Sequence, residues 1–289
     1  MNELDFIQSF RALAPHPAAR GLVDDAAVLE VGDETLVLTH DAMVEGRHWL
    51  PSQDMADVAW KLVATNLSDL AAKGAEPLGV LLGHTLGDGD ERFVAGLRAA
   101  LTAFNCPLLG GDTVSAGDGA RTLGLTAIGR ATHTPVPSRS TAQPGDTLFL
   151  TGPVGAAMMG FEALRDDTGE ASTAFRCPAP LLAEGQALAP LVSAMMDVSD
   201  GLLLDSWRMA TASGLTLVIA SDDVPIDAPE DRRADALRWG DDYQLLFTAP
   251  LSAKLPVPAV PVGTVEEGEV PLILDGLPIT GREGLGYTH

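Results

Sequence analysis

Between Asp54 and Lys73 the chain reads "DMADVAWKLVATNLSDLAAK", and its apolar residues recur at helical spacing. Met55, Val58, Ala59, Leu62, Val63, Leu67 and Leu70 form one arc, and Gly74 follows as a stop signal. At about 100° per residue, Asn66 and Asp69 fall inside that arc rather than opposite it. A helix that only had to cover a core would not carry a carboxylate there. The stretch "MMDVSDGLLLD" poses the same problem, with Asp197, Asp200 and Asp205 among methionines and leucines. No lysine is near in sequence, and the nearest basic residue is Arg208. Burying an unpaired charge is costly, so a fold that accepts both stretches must bring counter-charge to them.

Three more segments set an acid at the edge of an apolar or glycine-rich element. They are "GLVDDAAVL" (Asp24, Asp25), "LTHDAMVEGRHW" (Asp41) and "LLGGDT" (Asp112). Each alone reads as a turn or a cap, but Asp69 and Asp197 have no such role. If the acids converge, two carboxylates 4 Å apart repel by about 4 kcal/mol at an effective dielectric of 20. Carboxylate-rich sites suit Mg²⁺, which commonly bridges substrate phosphates, and neighbouring glycines let backbone N–H groups approach phosphate. The expected neutraliser is therefore Mg²⁺, arriving with a nucleotide. No G-x-x-x-x-G-K-[ST] and no G-x-G-x-x-G with a ribose-binding acid occurs, and "TGPVGAAMMG" reads equally well as close helix–strand packing. The only lysines are Lys61, Lys73 and Lys254, so the nucleotide is expected to be held mainly through metal.

A chain of 289 residues, 46% hydrophobic, can bury one large core or two ordinary ones. "ETLVLTHDAMV" and "RTLGLTAIGRA" read as strands on either side of the helix. The segment 130–146, rich in Pro, Ser and Thr, breaks the pattern and marks the expected boundary between domains at 1–137 and 138–289. Beyond it, "TLFLTGPVGAAMMGFEAL" reads as strand, glycine turn and helix. "DVSDGLLLDSWRMATASG" reads as a helix capped near Ser199 or Asp200 and stopped at Gly214. From Leu215 onward, short strands with Pro- and Gly-rich turns are expected.

The net charge of −22 disfavours nucleic acid and anionic lipid as partners. No apolar run is long enough for a membrane span, and the first residues lack the pattern of a signal peptide. Cys106 lies in an apolar run and Cys177 far from it, which fits a reducing compartment better than a disulfide framework. A cytoplasmic protein is expected, engaging neither nucleic acid nor membrane.

In their order, these segments resemble the thiamine-monophosphate kinases, of the superfamily that includes aminoimidazole ribonucleotide synthetase and selenophosphate synthetase. The family pattern runs GIGDDAA, (S/T)-T-D-x-L-V-E-G-x-H-F, NLSDLAAMGA, GGDT, TRSGAxPGD, DLSDGL, GGEDYEL and a terminal GYxHF. Here the same positions read "GLVDDAA", "THDAMVEGRHW", "NLSDLAAKGA", "GGDT", "PSRSTAQPGD", "DVSDGL", "WGDDYQL" and "GYTH", over nearly the whole chain. The resemblance implies an α/β (α+β), two-domain aminoimidazole ribonucleotide synthetase-like fold. Its N-terminal domain would bind ATP and Mg²⁺ and pair its sheet across a homodimer. It implies several Mg²⁺ ions on Asp25, Thr39, Asp41, Asp69, Asp112 and Asp197, with Asp200 on a further one. ATP would meet Gly111, Asp112, Arg139 and Ser199, and thiamine monophosphate would meet His48, Asp241 and Tyr287.

The implied reaction makes thiamine diphosphate and ADP, and the acceptor phosphate, with its second pKa near 6, needs no general base. Val23, His40, Trp239, Asp241, Gln244 and Gly284 depart from the family pattern. Two other readings stand beside this one. One is another ATP-dependent enzyme of the superfamily, similar to aminoimidazole ribonucleotide synthetase. The other is a non-catalytic nucleotide- or metal-binding sensor.

Overall fold

The computed structural model describes residues 3–115, 117 and 119–288. The first half runs through α1 (Glu3–Phe10), β1 (Ala27–Val31), β2 (Glu34–Val44), α2 (Met55–Ala72), β3 (Ala75–Leu86), α3 (Asp90–Ala103), β4 (Leu108–Ser115) and β5 (Thr122–Ala131). After the irregular segment 132–146 come β6 (Thr147–Leu150), α4 (Ala156–Arg165), α5 (Thr173–Arg176), α6 (Leu182–Leu188), β7 (Ala194–Asp197) and α7 (Leu202–Ser213). The chain then forms β8 (Thr216–Ile219), α8 (Arg233–Trp239), β9 (Leu245–Ala249), β10 (Val260–Glu266), β11 (Leu272–Leu274) and β12 (Leu277–Ile279).

Two mixed sheets result. The first has the order β1-β2-β5-β3-β4, antiparallel except where β3 and β4 run parallel. The second has the order β12-β11-β8-β10-β6-β9-β7, antiparallel except between β8 and β11. In β2 and β5 alternate residues face α2. Thr39 pairs with Ala127, Asp41 with Leu125 and Met43 with Leu123 on the covered face, while His40 pairs with Thr126 on the other. The period of two therefore sends Thr39 and Asp41 inward together and turns His40 away.

The α2 helix has the predicted bounds. The Asp54 side chain accepts from Ala56 N at its start, and Lys73 closes its end. Most of its length packs on the first sheet through Val58, Leu62, Val63, Leu67 and Leu70. Its last turn, Ala71 and Ala72, packs instead with Phe149, Met195, Leu245 and Phe247 of the second sheet. One helix thus belongs to two cores.

Two expectations need correction. The α7 helix is capped by neither Ser199 nor Asp200; it begins at Leu202 after Gly201. The capping runs the other way, because Asp205, fully buried inside the helix, accepts from Ser199 N (3.1 Å) and Asp200 N (3.0 Å). The region after Leu215 also contains a helix, α8, besides its short strands. Among the described residues, no helix is long and apolar enough to cross a membrane.

The α6 helix approaches α2 so closely that a Cβ added at Gly185 would sit 1.9 Å from the Ala71 carbonyl oxygen. Backbone cannot yield as a flexible side chain would. Gly185→Ala should therefore lower stability by about 1–3 kcal/mol, several degrees in thermal melting, as overpacking does. An unchanged melting temperature would mean that α6 can slide away from α2.

Candidate active site

A cavity of about 950 Å³ opens between the two halves. The α2 helix lends Lys61, Thr65 and Asp69 to its wall. These residues and Lys73 follow one another at steps of four, the spacing that keeps side chains on one helical face. From β2 and the turn after it come Asp41 and His48, and from the end of β7 and the following loop come Asp197, Ser199 and Asp200. Asp25 and Arg139 arrive from loops, and Asp241 and Tyr287 close the far side.

Ligand oxygens of Asp25, Asp69 and Asp197 lie within 4.8 Å of one another. The Ser68 hydroxyl donates to Asp197 Oδ2 (2.5 Å), tying α2 to β7, and the Thr39 hydroxyl donates to Asp69 Oδ2. Burial, then the charges of Asp41 and Asp197, hold the Asp69 carboxyl well above the usual range. Burial pushes Asp197 up to about 7; Asp205 and Asp41 add to the shift, while Ser68 and Lys73 oppose it. The set offers only oxygen, is crowded with like charge, and leaves Asp25 Oδ2 buried without a hydrogen bond. Such donors fit a hard divalent cation such as Mg²⁺.

The two members of the DD pair divide their work. Asp24 accepts from Lys73 Nζ (2.5 Å), Arg20 Nη1 (2.5 Å) and the Ser138 hydroxyl (2.7 Å). Burial alone would raise its carboxyl, but these partners outweigh burial and hold it well below the usual range. Asp25 turns into the cavity, where Arg139 Nη2 contacts Oδ1 and Lys73 Nζ lies 2.7 Å from Oδ2. Asp200 pairs with Arg208 (2.5 Å), which also reaches Asp205 (2.9 Å). Part of the counter-charge expected from metal is thus arginine and lysine.

At the other end, Lys61 Nζ lies 2.8 Å from Asp241 Oδ2 and 3.8 Å from the centre of the Phe175 ring. The Tyr243 hydroxyl donates to Asp241 Oδ1 (2.8 Å). Asp241 and Tyr243 both have positive φ (57° and 52°), a conformation that non-glycine residues rarely adopt. It aims Asp241 at the cavity and Asp242 at the start of α4, where the latter accepts from Gly155 N and Ala157 N. Phe161 and Trp239, with ring centres 5.1 Å apart, and Phe175 make this wall aromatic. His48 Nδ1 accepts from Val44 N (2.9 Å), and its ring lies 6.3 Å from that of Tyr287. Tyr287 N donates to Asp200 O (2.9 Å), and a Cβ on Gly286 would come within 2.2 Å of that same oxygen, so only glycine lets the tail lie there.

Residues 23–131 match the model of the AIR synthase related protein N-terminal domain, and residues 143–270 match that of the C-terminal domain. The thiamine-monophosphate kinase of Salmonella typhimurium is 36% identical over 93% of this chain and 91% of its own. The chain belongs to the thiamine-monophosphate kinases of the AIR synthase-related family. The Escherichia coli K12 member is 35% identical over the same shares of the two chains. Among solved members, AaThiL complexed with AMPPCP and TMP superposes with a TM-score of 0.89 at 27% identity, covering 100% of this chain and 97% of that one. Thiamine-monophosphate kinase from Stenotrophomonas maltophilia gives 0.78 at 30% identity, covering 95% and 96%.

Of the residues singled out by family resemblance, Asp25, Asp41, His48, Asp69, Arg139, Asp197, Ser199, Asp200, Asp241 and Tyr287 line the one cavity. Thr39 stands behind Asp69. Gly111 and Asp112 do not line it; they lie on β4, the exposed edge strand of the first sheet. The terminal motif's His289 lies outside the described residues. Sequence reasoning missed Lys61, Lys73, Phe175 and Tyr243. The four-residue steps along α2 were the available signal for the two lysines.

The raised acids set the pH response of the metal-free protein. A carboxyl whose folded value lies above its unfolded value weakens the fold once ionised, and the cost is fully present above the folded value. In chelator, the melting temperature should therefore fall as pH rises from about 4 to about 7, between the unfolded carboxylate value and that of Asp197, and level off above it. Asp69→Asn removes one acid and its repulsion on Asp197, so its profile should be flatter and its melting temperature at pH 8 at least that of the parent. A loss of several degrees there would instead make Asp69 a structural hydrogen-bonding acid.

Proposed function

We infer that this chain catalyses transfer of the γ-phosphoryl group of ATP to thiamine monophosphate, giving thiamine diphosphate and ADP. The observation that carries the reading is one cavity holding an oxygen-only acidic cluster at one end and an aromatic wall with Asp241 at the other. Mg²⁺ held by Asp25, Asp41, Asp69 and Asp197, with Asp200 on a further ion, would supply positive charge to the triphosphate. Thr39 fixes the Asp69 carboxylate, and Arg139 and Ser199 would contact the nucleotide. The aromatic wall of Phe161, Phe175 and Trp239 suits the flat rings of thiamine, with His48, Asp241 and Tyr287 as its polar contacts.

The acceptor oxygen attacks the γ-phosphorus in line while the bond to the leaving ADP oxygen breaks. A dianionic acceptor and ATP⁴⁻ give products of the same total charge, so no proton need move. Lining residues therefore orient and neutralise rather than act as a base.

We further propose that residues 1–137 form a nucleotide-binding and dimerisation domain and 138–289 a second α/β domain, in a cytoplasmic homodimer. Support for the dimer comes from the first sheet, where Leu81, Leu86, Leu108, Leu109 and Val114 are exposed on β3 and its edge neighbour β4. In such a dimer Gly111 and Asp112 would lie at or beside the interface, with Gly111 as a nucleotide contact and Asp112 as a nucleotide contact and metal ligand.

Turnover is expected with thiamine monophosphate and essentially none with thiamine, whose hydroxyl has a pKa of about 16 and would need a base. The rate should fall below about pH 6, as the acceptor phosphate takes up its second proton. His48→Ala should mainly raise KM for the monophosphate. ATP binding with neither hydrolysis nor thiamine diphosphate formation, followed by mass, would favour the sensor reading. Comparable rates with free thiamine would overturn the base-free mechanism.

A further inference from the structure

Lys73 has no part in the family pattern's list of contacts, yet it is the most enclosed cation at the acidic cluster. Its side chain is 0% exposed. Nζ lies 2.5 Å from Asp24 Oδ1 and 2.7 Å from Asp25 Oδ2, and it donates to Met195 O at 3.2 Å. The last of these contacts reaches β7, two residues before Asp197. Lys73 also closes the C-terminal end of α2, where a positive charge is favoured by the helix dipole. Four carboxylates, Asp24, Asp25, Asp69 and Asp197, therefore surround a region that already contains one fixed ammonium.

The fit at Asp25 is incomplete. Its Oδ2 is buried 2.7 Å from Nζ yet receives no hydrogen bond, so the ion pair leaves acceptor capacity on that oxygen unused. Oδ2 belongs to one of the three carboxylates whose ligand oxygens converge within 4.8 Å. A divalent ion on that trio would share Asp25 with Lys73 and feel its like charge at contact range, where Coulomb terms are large even in a screened interior.

We propose that Lys73 is a built-in counter-cation that opposes divalent metal at Asp25. It holds the metal-free cluster together and sets how tightly the ion binds. The inference rests on the metal reading of the site. It makes Lys73 a positioning residue that acts through Asp25, and it predicts that the chain trades metal affinity for stability without metal.

Magnesium alone, without nucleotide, is the probe. Lys73→Met keeps the length and removes the charge. The variant should melt lower than the parent in chelator, recover more on adding Mg²⁺ than the parent gains, and bind Mg²⁺ about tenfold more tightly or better by calorimetry. Because Lys73→Met leaves Asp24 without its main partner, the double variant Asp24→Asn/Lys73→Met serves as a second arm. It removes one charge of each sign and should show the same tightening. Equal Mg²⁺ affinities, with a melting loss that is the same in chelator and in Mg²⁺, would overturn the proposal and leave the metal site standing. No Mg²⁺ response in parent or variants would overturn both.

Discussion

Mutual repulsion among buried carboxylates is the constraint around which this fold is arranged. Asp25, Asp69 and Asp197 arrive from a loop, a helix and a strand, and each is held by a group from elsewhere. Lys73 and Arg139 face Asp25, Thr39 donates to Asp69, and Ser68 donates to Asp197. Removing Lys73 or Arg139 would strip counter-charge from Asp25, and removing the Thr39 or Ser68 hydroxyl would leave a buried carboxyl short of a hydrogen bond. The partners come from both halves, so the cluster cannot exist before the halves meet. The aromatic end of the cavity is less demanding, since apolar packing tolerates imprecision that charge does not.

Much of the local structure was legible because it depends on signals a few residues apart. The bounds of β2 coincide with the stretch of alternating and β-branched residues, and α2 starts at its aspartate cap and stops before Gly74. Asp69 was recognisable as misplaced because helical geometry alone puts it on the buried arc. What could not be read is pairing across the chain. Lys73 meets Asp24 from 49 positions away and Ser68 meets Asp197 from 129, and no spacing rule encodes either. The capping of α7 was misread for a related reason. Asp205 reaches back to the loop from inside the helix, and the sequence pattern favoured Ser199 and Asp200 as caps.

The two lysines show how a bland reading hides a role. Lysine on a helix is ordinarily a solvated charge, and only the four-residue steps through Lys61, Thr65, Asp69 and Lys73 mark these as one inward-facing row. Of the acids, Asp112 remains apart from the cavity in a single chain, on the edge strand β4. Family resemblance connects it to the site; periodicity could not.

The division of α2 between two cores has a mechanical consequence. Its length is anchored in the first sheet and its last turn in the second, with Gly185 pressed against the Ala71 carbonyl. No loop separates the two anchorages, so a hinge motion between the halves about α2 would have to break helix packing. Whatever binds in the cavity pulls on both cores at once. Loosening one sheet would disturb the packing of the same helix against the other, which ties the stability of the two cores together.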